Sequence, residues 1–266
     1  MDSICLSYAG VTALEHKVIR GEAVGRMTEG LKQKLHQAEK MQKGALTEGL
    51  MEEGIGYMTI EDAEYPPILR EIHDPPYILY YRGDETLLKR KMLGIVGSRK
   101  ATHYTKRTLQ AIMPQLDSQI GILSGLAYGA DELAHLKAME NNMATIGVLA
   151  FGHRTHYPSS TRKTRLKMER EGLVISEYPP GTGIAKWRFV ARNRIIAGLS
   201  TGVFVTEAEE SSGSLITLDM ALSENRHVYC LPGNIHAPQS KGPNLRIQEG
   251  AKMVLCGADI MEDFRE

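Results

Sequence analysis

The chain has little cysteine, few large aromatic residues, no net charge and no long apolar run. Its three cysteines, Cys5, Cys230 and Cys256, are an odd number without C-x-x-C spacing. That pattern excludes a disulfide framework and a zinc ribbon, and it predicts thiols buried as small apolar side chains. The longest apolar stretch, Met143 to Gly152, falls far short of the roughly 20 residues that a spanning helix needs. No basic segment followed by an apolar run opens the sequence, so the expectation is a cytoplasmic protein with no membrane span, beginning at Met1. Lys plus Arg and Asp plus Glu are both 32, and bulk charge therefore selects no partner. G-x-x-x-x-G-K-[ST] is absent, as is a G-x-G-x-x-G after the first strand, which removes support for P-loop hydrolysis and for the common dinucleotide fingerprint. His153 and His156 have no Cys or carboxylate companion at ligand spacing, so the expectation there is a solvated loop, with no metal and no cofactor.

What is present is an ordinary globular composition, 42% hydrophobic and 24% charged over 266 residues, enough for one large domain and a smaller companion. Charge is segregated along the chain. Residues 1–90 carry net −4 and residues 91–266 net +4; within the latter, residues 154–194 carry net +7 and residues 201–266 net −5. Such segregation can give a neutral protein a basic surface.

The first fifty-five or so residues predict short helices over 12–20 and 27–41, punctuated by glycine, as a small helical accessory domain (1–55). The Asp74-Pro75-Pro76 step then leads into an aromatic run, Tyr77 to Arg82, expected to be extended. From Met92 short apolar strands alternate with helical segments. Strands are expected at 93–96, 121–123, 145–149, 173–175, 203–205, 227–230 and 253–255, and helices near 105–117, 129–141, 160–171, 189–198, 213–225 and 244–249. This is the signature of an α/β fold, a doubly wound, mainly parallel sheet over residues 56–266, which binds ligands beyond the carboxyl ends of its strands.

Three of those strand ends carry small and polar residues: Gly97-Ser98-Arg99-Lys100-Ala101-Thr102, Ser124-Gly125-Leu126-Ala127-Tyr128-Gly129-Ala130-Asp131, and Ser211-Ser212-Gly213-Ser214-Leu215-Ile216-Thr217. Each opens a helix whose first N–H groups lack intrahelical partners, and each is therefore a candidate anion cradle as well as an ordinary tight turn. Catalytic constellations are poor by comparison. Glu177 and Glu207 follow strands and are as readily hydrogen-bond acceptors as acids or bases, and His135 is expected to pack rather than react. Arg162, Arg165 and Arg170 cannot share one helical face, so part of that basic set is expected on a solvated surface. The segment Lys186 to Arg194 is sharper, because Lys186, Arg188, Arg192 and Arg194 interleave with Trp187 and Phe189. Cations that track phosphates beside rings that stack on bases are what single-stranded nucleic acid requires, although Phe189 can equally be core and the arginines carboxylate partners.

The ordered series Asp74-Pro75-Pro76, Gly97-Ser98-Arg99, Ser124-Gly125-Leu126-Ala127-Tyr128-Gly129-Ala130-Asp131, Ser176-Glu177-Tyr178-Pro179-Pro180-Gly181, Arg192-Asn193-Arg194 and Ser212-Gly213-Ser214 resembles the DprA/Smf family of DNA-processing proteins over about residues 60–260. The resemblance implies an extended Rossmann-like domain that binds single-stranded DNA without sequence preference. It also implies a homodimer that loads RecA recombinase onto DNA entering during natural transformation, with single-strand-binding protein as a further partner and no catalytic activity. On the family pattern Arg99, Lys186, Arg192, Asn193 and Arg194 line the phosphate pocket, with the Gly125 to Gly129 and Ser212 to Ser214 loops beside them. Val190 departs from the pattern, standing where the family usually has proline, and Glu209-Glu210 sets two acids beside a cradle loop. The same broad Rossmann-like group includes nucleotide phosphoribohydrolases, for which Asp219 on the helix after Ser212 to Thr217 would be the acid to test.

Overall fold

In the computed structural model, which describes residues 1–265, a single nine-stranded sheet organises the chain. Its strands are β1 (Gly56–Thr59), β2 (Ile78–Gly83), β3 (Met92–Val96), β4 (Gly121–Ser124), β5 (Thr145–Leu149), β6 (Leu173–Ser176), β7 (Gly202–Val205), β8 (His227–Cys230) and β9 (Lys252–Met253). The order across the sheet is β1-β2-β6-β5-β4-β3-β7-β8-β9. All pairings from β6 to β9 are parallel, while β2 runs antiparallel to β6 and to β1. Every residue of β3 to β7 is buried, which explains why these strands read as unbroken apolar runs rather than alternating ones.

Among the described residues twelve α-helices accompany the sheet: α1 (Ser3–Tyr8), α2 (Ala13–Arg20), α3 (Glu29–Glu39), α4 (Lys43–Glu52), α5 (Pro67–Arg70), α6 (His103–Ile112), α7 (Ala130–Glu140), α8 (Arg162–Glu171), α9 (Lys186–Leu199), α10 (Gly213–Ser223), α11 (Lys241–Gln248) and α12 (Gly257–Met261). Alternation along β3 divides the core into two layers. Met92 and Val96 join Ile195 and Ile196 of α9 and Leu218 of α10, whereas Leu93 and Ile95 join Leu109 of α6, Ala134 of α7 and Ile260 of α12. Helices therefore lie on both faces, as a doubly wound sheet demands.

The N-terminal helices share a third core with β2. Ile4, Leu6, Leu31 and Leu50 pack with Tyr77, Ile78 and Tyr80, and the Tyr77 and Tyr80 hydroxyls donate to Val11 O and Ser7 Oγ, each at 2.9 Å. Four helices occupy the region for which two were expected. α2 has a capping box between Thr12 and Glu15, and Thr28 caps α3 through the Leu31 N–H.

Several expected boundaries shift. α9 starts at Lys186, three residues early; α6 ends at Ile112, where Pro114 two residues on cannot continue the ladder; β9 covers only Lys252–Met253 of the strand expected to reach 255. β1 was not anticipated. Cys5 and Cys230 are buried as expected, but Cys256 is partly exposed at the start of α12. The loop holding His153 and His156 is solvated only in part: Arg154 and Tyr157 are exposed and His156 partly so, but the His153 ring is fully buried, with Nε2 3.3 Å from Tyr80 O.

Candidate nucleic-acid interface

The strand order reverses between β3 and β7, so their connections depart to opposite sides and leave a crevice beyond their carboxyl ends. A cleft of about 370 Å³ occupies that crevice. Gly97, Ser98, Arg99 and Lys100 wall it from β3, Ser211 to Ser214 and Thr217 from the start of α10, and Phe189, Arg192 and Asn193 from α9. All three loops that the sequence marked thus border one space, the third through Ala127 and Asp131, and Ser212 caps α10 through the Ser214 N–H. The third loop also borders a smaller adjoining recess, lined by Gly125, Tyr128, Tyr157, Phe189 and Arg192 and sharing Arg99 with the main cleft.

Buried acids hold these loops in place. Glu207, 4% exposed, accepts from the Thr102 N–H at 2.8 Å and from the Thr105 hydroxyl at 2.7 Å, while the Ser98 N–H donates to its carbonyl oxygen. Asp131 accepts from the Gly125 and Ala127 N–H groups at 3.2 and 3.4 Å. Burial raises the Asp131 pKa against the opposing pull of Arg192, and burial lowers that of Arg192 against the attraction of Asp131. Glycine is required at two points. A Cβ on Gly125 would run into the Arg192 guanidinium, and Gly129, at φ +90°, brings the chain against the Ser98 and Arg99 carbonyls.

The cationic candidates separate into three groups. Arg99 and Lys186 are exposed; Arg99 lies over the Phe189 ring at 5.8 Å, and Lys186 stands on the first turn of α9. Arg192 is 6% exposed and spends its guanidinium on Gly125 O and Val148 O, each at 2.7 Å, and on the Asn193 side chain at 3.1 Å. It fixes the cleft floor. Arg188 and Arg194 are turned away, into a second cleft on the other side of α9. Arg194 is neutralised there by Asp74 and Glu177, each at 2.9 Å; although burial opposes its charge, these carboxylates hold its pKa above the usual guanidinium value. In α8, Arg165 is only 3% exposed and donates to the carbonyls of Thr155 and His153, so that arginine belongs to the interior rather than to the solvated face.

The acids considered for catalysis are all engaged. Glu177 holds Arg194, Glu207 holds the Thr102 turn, and Asp219 pairs with Arg246 at 2.9 Å rather than lining the cleft, where the same helix presents Thr217. His135 is buried with Nδ1 2.8 Å from Thr145 Oγ1. Among the described residues, no group of three or more His, Cys, Asp or Glu side chains is placed to hold a metal, and no helix is long and apolar enough to cross a membrane. Sequence reasoning marked Asp131, Ser211 and Thr217 only as members of candidate cradle loops, and gave no role to the Asp74–Arg194–Glu177 bridge. The carboxylate after the Gly-rich loop was the available signal for Asp131; nothing local marks the bridge, whose members are 120 and 17 residues apart.

The family described as DNA recombination-mediator protein A matches residues 56–265. The chain is 41% identical to DNA processing protein DprA of Streptococcus pneumoniae over 206 residues, 77% of this chain and 73% of that one. It is 40% identical to the Bacillus subtilis protein of the same name over 217 residues, 81% of this chain and 73% of that one. The solved structure of DprA from Streptococcus pneumoniae superimposes with a TM-score of 0.87 at 33% identity, covering 97% of this chain and 95% of that one. A structure that addresses the single-stranded DNA binding mode of DNA processing protein A from Helicobacter pylori gives 0.70 at 28% identity, covering 78% and 95%. Together with the ordered motifs that build the cleft, these matches establish that the chain is a member of the DprA/Smf family of DNA-processing proteins.

Proposed function

We propose that the cleft between β3 and β7 binds single-stranded DNA without sequence preference, phosphates at the Gly213 N–H, the loop serine hydroxyls, Arg99 and Lys186, bases against Phe189, Tyr128 and Tyr157. The observation that carries this reading is the convergence of three strand-end loops, an Arg99 with no carboxylate partner among the described residues and an aromatic wall on one crevice of a family whose Helicobacter pylori member is described as binding single-stranded DNA. Ser98, Ser212 and Ser214 supply hydroxyl donors and Gly213 a backbone N–H, Gly97 lets the chain pass close to Thr206 and Ala130, Gly125 lines the adjoining recess, Gly129 packs its loop on the Ser98–Arg99 turn, and Arg192 and Asn193 hold the cleft floor. Arg188 and Arg194 play no part at this cleft. We further propose that the protein acts in the cytoplasm as a homodimer that delivers DNA to RecA, with single-strand-binding protein as the competitor to be displaced, and that residues 1–55 form an accessory unit of the DNA-binding body. Met253 and Leu255, 45% and 70% exposed at the free edge beyond β8, support the dimer.

Fluorescence anisotropy with labelled single- and double-stranded oligonucleotides of one sequence tests the binding reading. Preference for the single strand, unchanged on scrambling the sequence, is expected; equal affinity for duplex would overturn it.

A further inference from the structure

α9 has two faces and only one of them serves the cleft described above. Phe189, Arg192 and Asn193 point there; Trp187, Ala191 and Arg194, at helical spacing on the opposite side, wall a second cleft of about 690 Å³ whose far wall is Val11 to Leu14 at the start of α2. Its floor is chemically quiet, since Asp74 and Glu177 are spent on Arg194. Its rim is not. Trp187 is 59% exposed and Leu14, across from it, 61%. Trp187 meets Tyr178 edge to face at 6.3 Å, and Arg188 lies over both rings at 5.1 Å. Arg188 has no carboxylate partner among the described residues, and its buried Nε donates to nothing.

A large ring left open to solvent, braced from behind by a second ring and an uncompensated guanidinium, is a stacking platform with a phosphate contact beside it. A strand leaving the first cleft reaches it by crossing the first turn of α9, one helix diameter of about 10 Å, past the exposed Lys186. We infer that this second cleft takes a base of the same DNA strand, stacked on Trp187, with Arg188 on the adjoining phosphate, so that each chain holds single-stranded DNA on both sides of α9. The inference rests on the binding reading above, and it adds a second subsite to it.

Trp187 is the only tryptophan of the chain, so its emission reports this cleft alone. The test titrates the full-length protein with oligothymidylates of increasing length, following anisotropy of the labelled DNA and Trp187 emission in parallel. The expected result is binding of the shortest oligomers without quenching, and quenching that sets in once the strand is long enough to cross α9. Trp187→Ala should weaken the long oligomers about 5- to 150-fold, the scale of one stacked base, and leave the short ones unchanged. Trp187→Phe should restore most of the loss, and the salt dependence should not change, because stacking releases no counterions. Leu14→Glu, on the facing wall, should weaken long oligomers selectively. Long oligomers that bind in anisotropy with emission unquenched, and with Trp187→Ala at wild-type affinity, would overturn the inference while leaving the first cleft intact and would favour a peptide as occupant. Absence of binding at every length would instead remove the reading on which it rests.

Discussion

At the scale of single residues, buried polar groups set what this protein tolerates. His135 and His153 are both fully buried, and burial, joined by the charges of Arg192 and Arg165 respectively, depresses each imidazole pKa to about 3. In the unfolded chain they titrate near 6.5, so the native state holds fewer protons below that pH. Their contribution to stability is complete above pH 6.5 and is lost as pH falls toward 3, at up to about 2.7 kcal/mol per pH unit for the two together. Chemical denaturation between pH 7 and 4 should show this slope, and His153→Asn should reduce it by about half. A stability flat over that range would contradict the burial of both rings. The same scale explains what the sequence left hidden. Arg192, Asn193 and Arg194 are adjacent letters, but each step along a helix turns about 100°, so one arginine supports the first cleft and the other locks the second. Composition cannot separate them; the helical phase can, once the helix start is known.

That start is a property of the element. Lys186 opens α9 without a side-chain cap from Ala185, so no Ser, Thr, Asp or Asn advertises it, and the first turn was expected to be irregular chain. Val190 is compatible with the early start: the Arg188 N–H closes the first turn on Ala185 O, and Val190, fifth in α9, has an N–H that can continue the ladder to Lys186, a bond that proline cannot make. Val190→Pro should unwind residues 186–189, carrying Lys186 and Trp187 with them. The expected outcome is a small loss of helical circular dichroism, a drop of about 3 kcal/mol or less in stability and a changed Trp187 emission maximum. An unchanged emission spectrum would mean that the first turn does not need this bond. The strands β3 to β7 were legible because each is a buried apolar run; β1 was not, because four residues with one buried side chain, Met58, carry too little pattern.

For the whole molecule, linear charge proved a weaker guide than topology. The net +7 of residues 154–194 does not form one basic face: Arg154 is paired with Glu53, Lys167 with Glu171, Arg194 with two carboxylates, and Arg165 is internal. What placed the site was the alternation of strands and helices, which puts the loops after β3 and β7 at the switch point whatever their charge. The N-terminal helices matter for a different reason, since they cover Tyr77, Ile78 and Tyr80. Deleting residues 1–55 should therefore cost on the order of 5 kcal/mol by exposing three large side chains. Short oligonucleotides should still bind the truncated protein at low temperature. Denaturant midpoints and anisotropy on the same preparation check both halves, and a folded truncation that no longer binds DNA would refute the accessory role proposed for the segment.

Phosphates bound at the Arg99 cleft would displace counterions, and the salt dependence of binding reads that release. If four or five phosphates are neutralised on a short single strand, log K should fall with log salt at a slope of about −3, at roughly −0.7 per phosphate. Arg99→Ala should cost about 1.5–3 kcal/mol and make the slope shallower by about 0.7, and the Arg99→Ala, Lys186→Ala pair by about 1.4. Arg170→Ala on α8, remote from the cleft lining, should leave both affinity and slope near wild type. Equal losses for Arg99→Ala and Arg170→Ala, or a slope that none of the substitutions moves, would contradict the account.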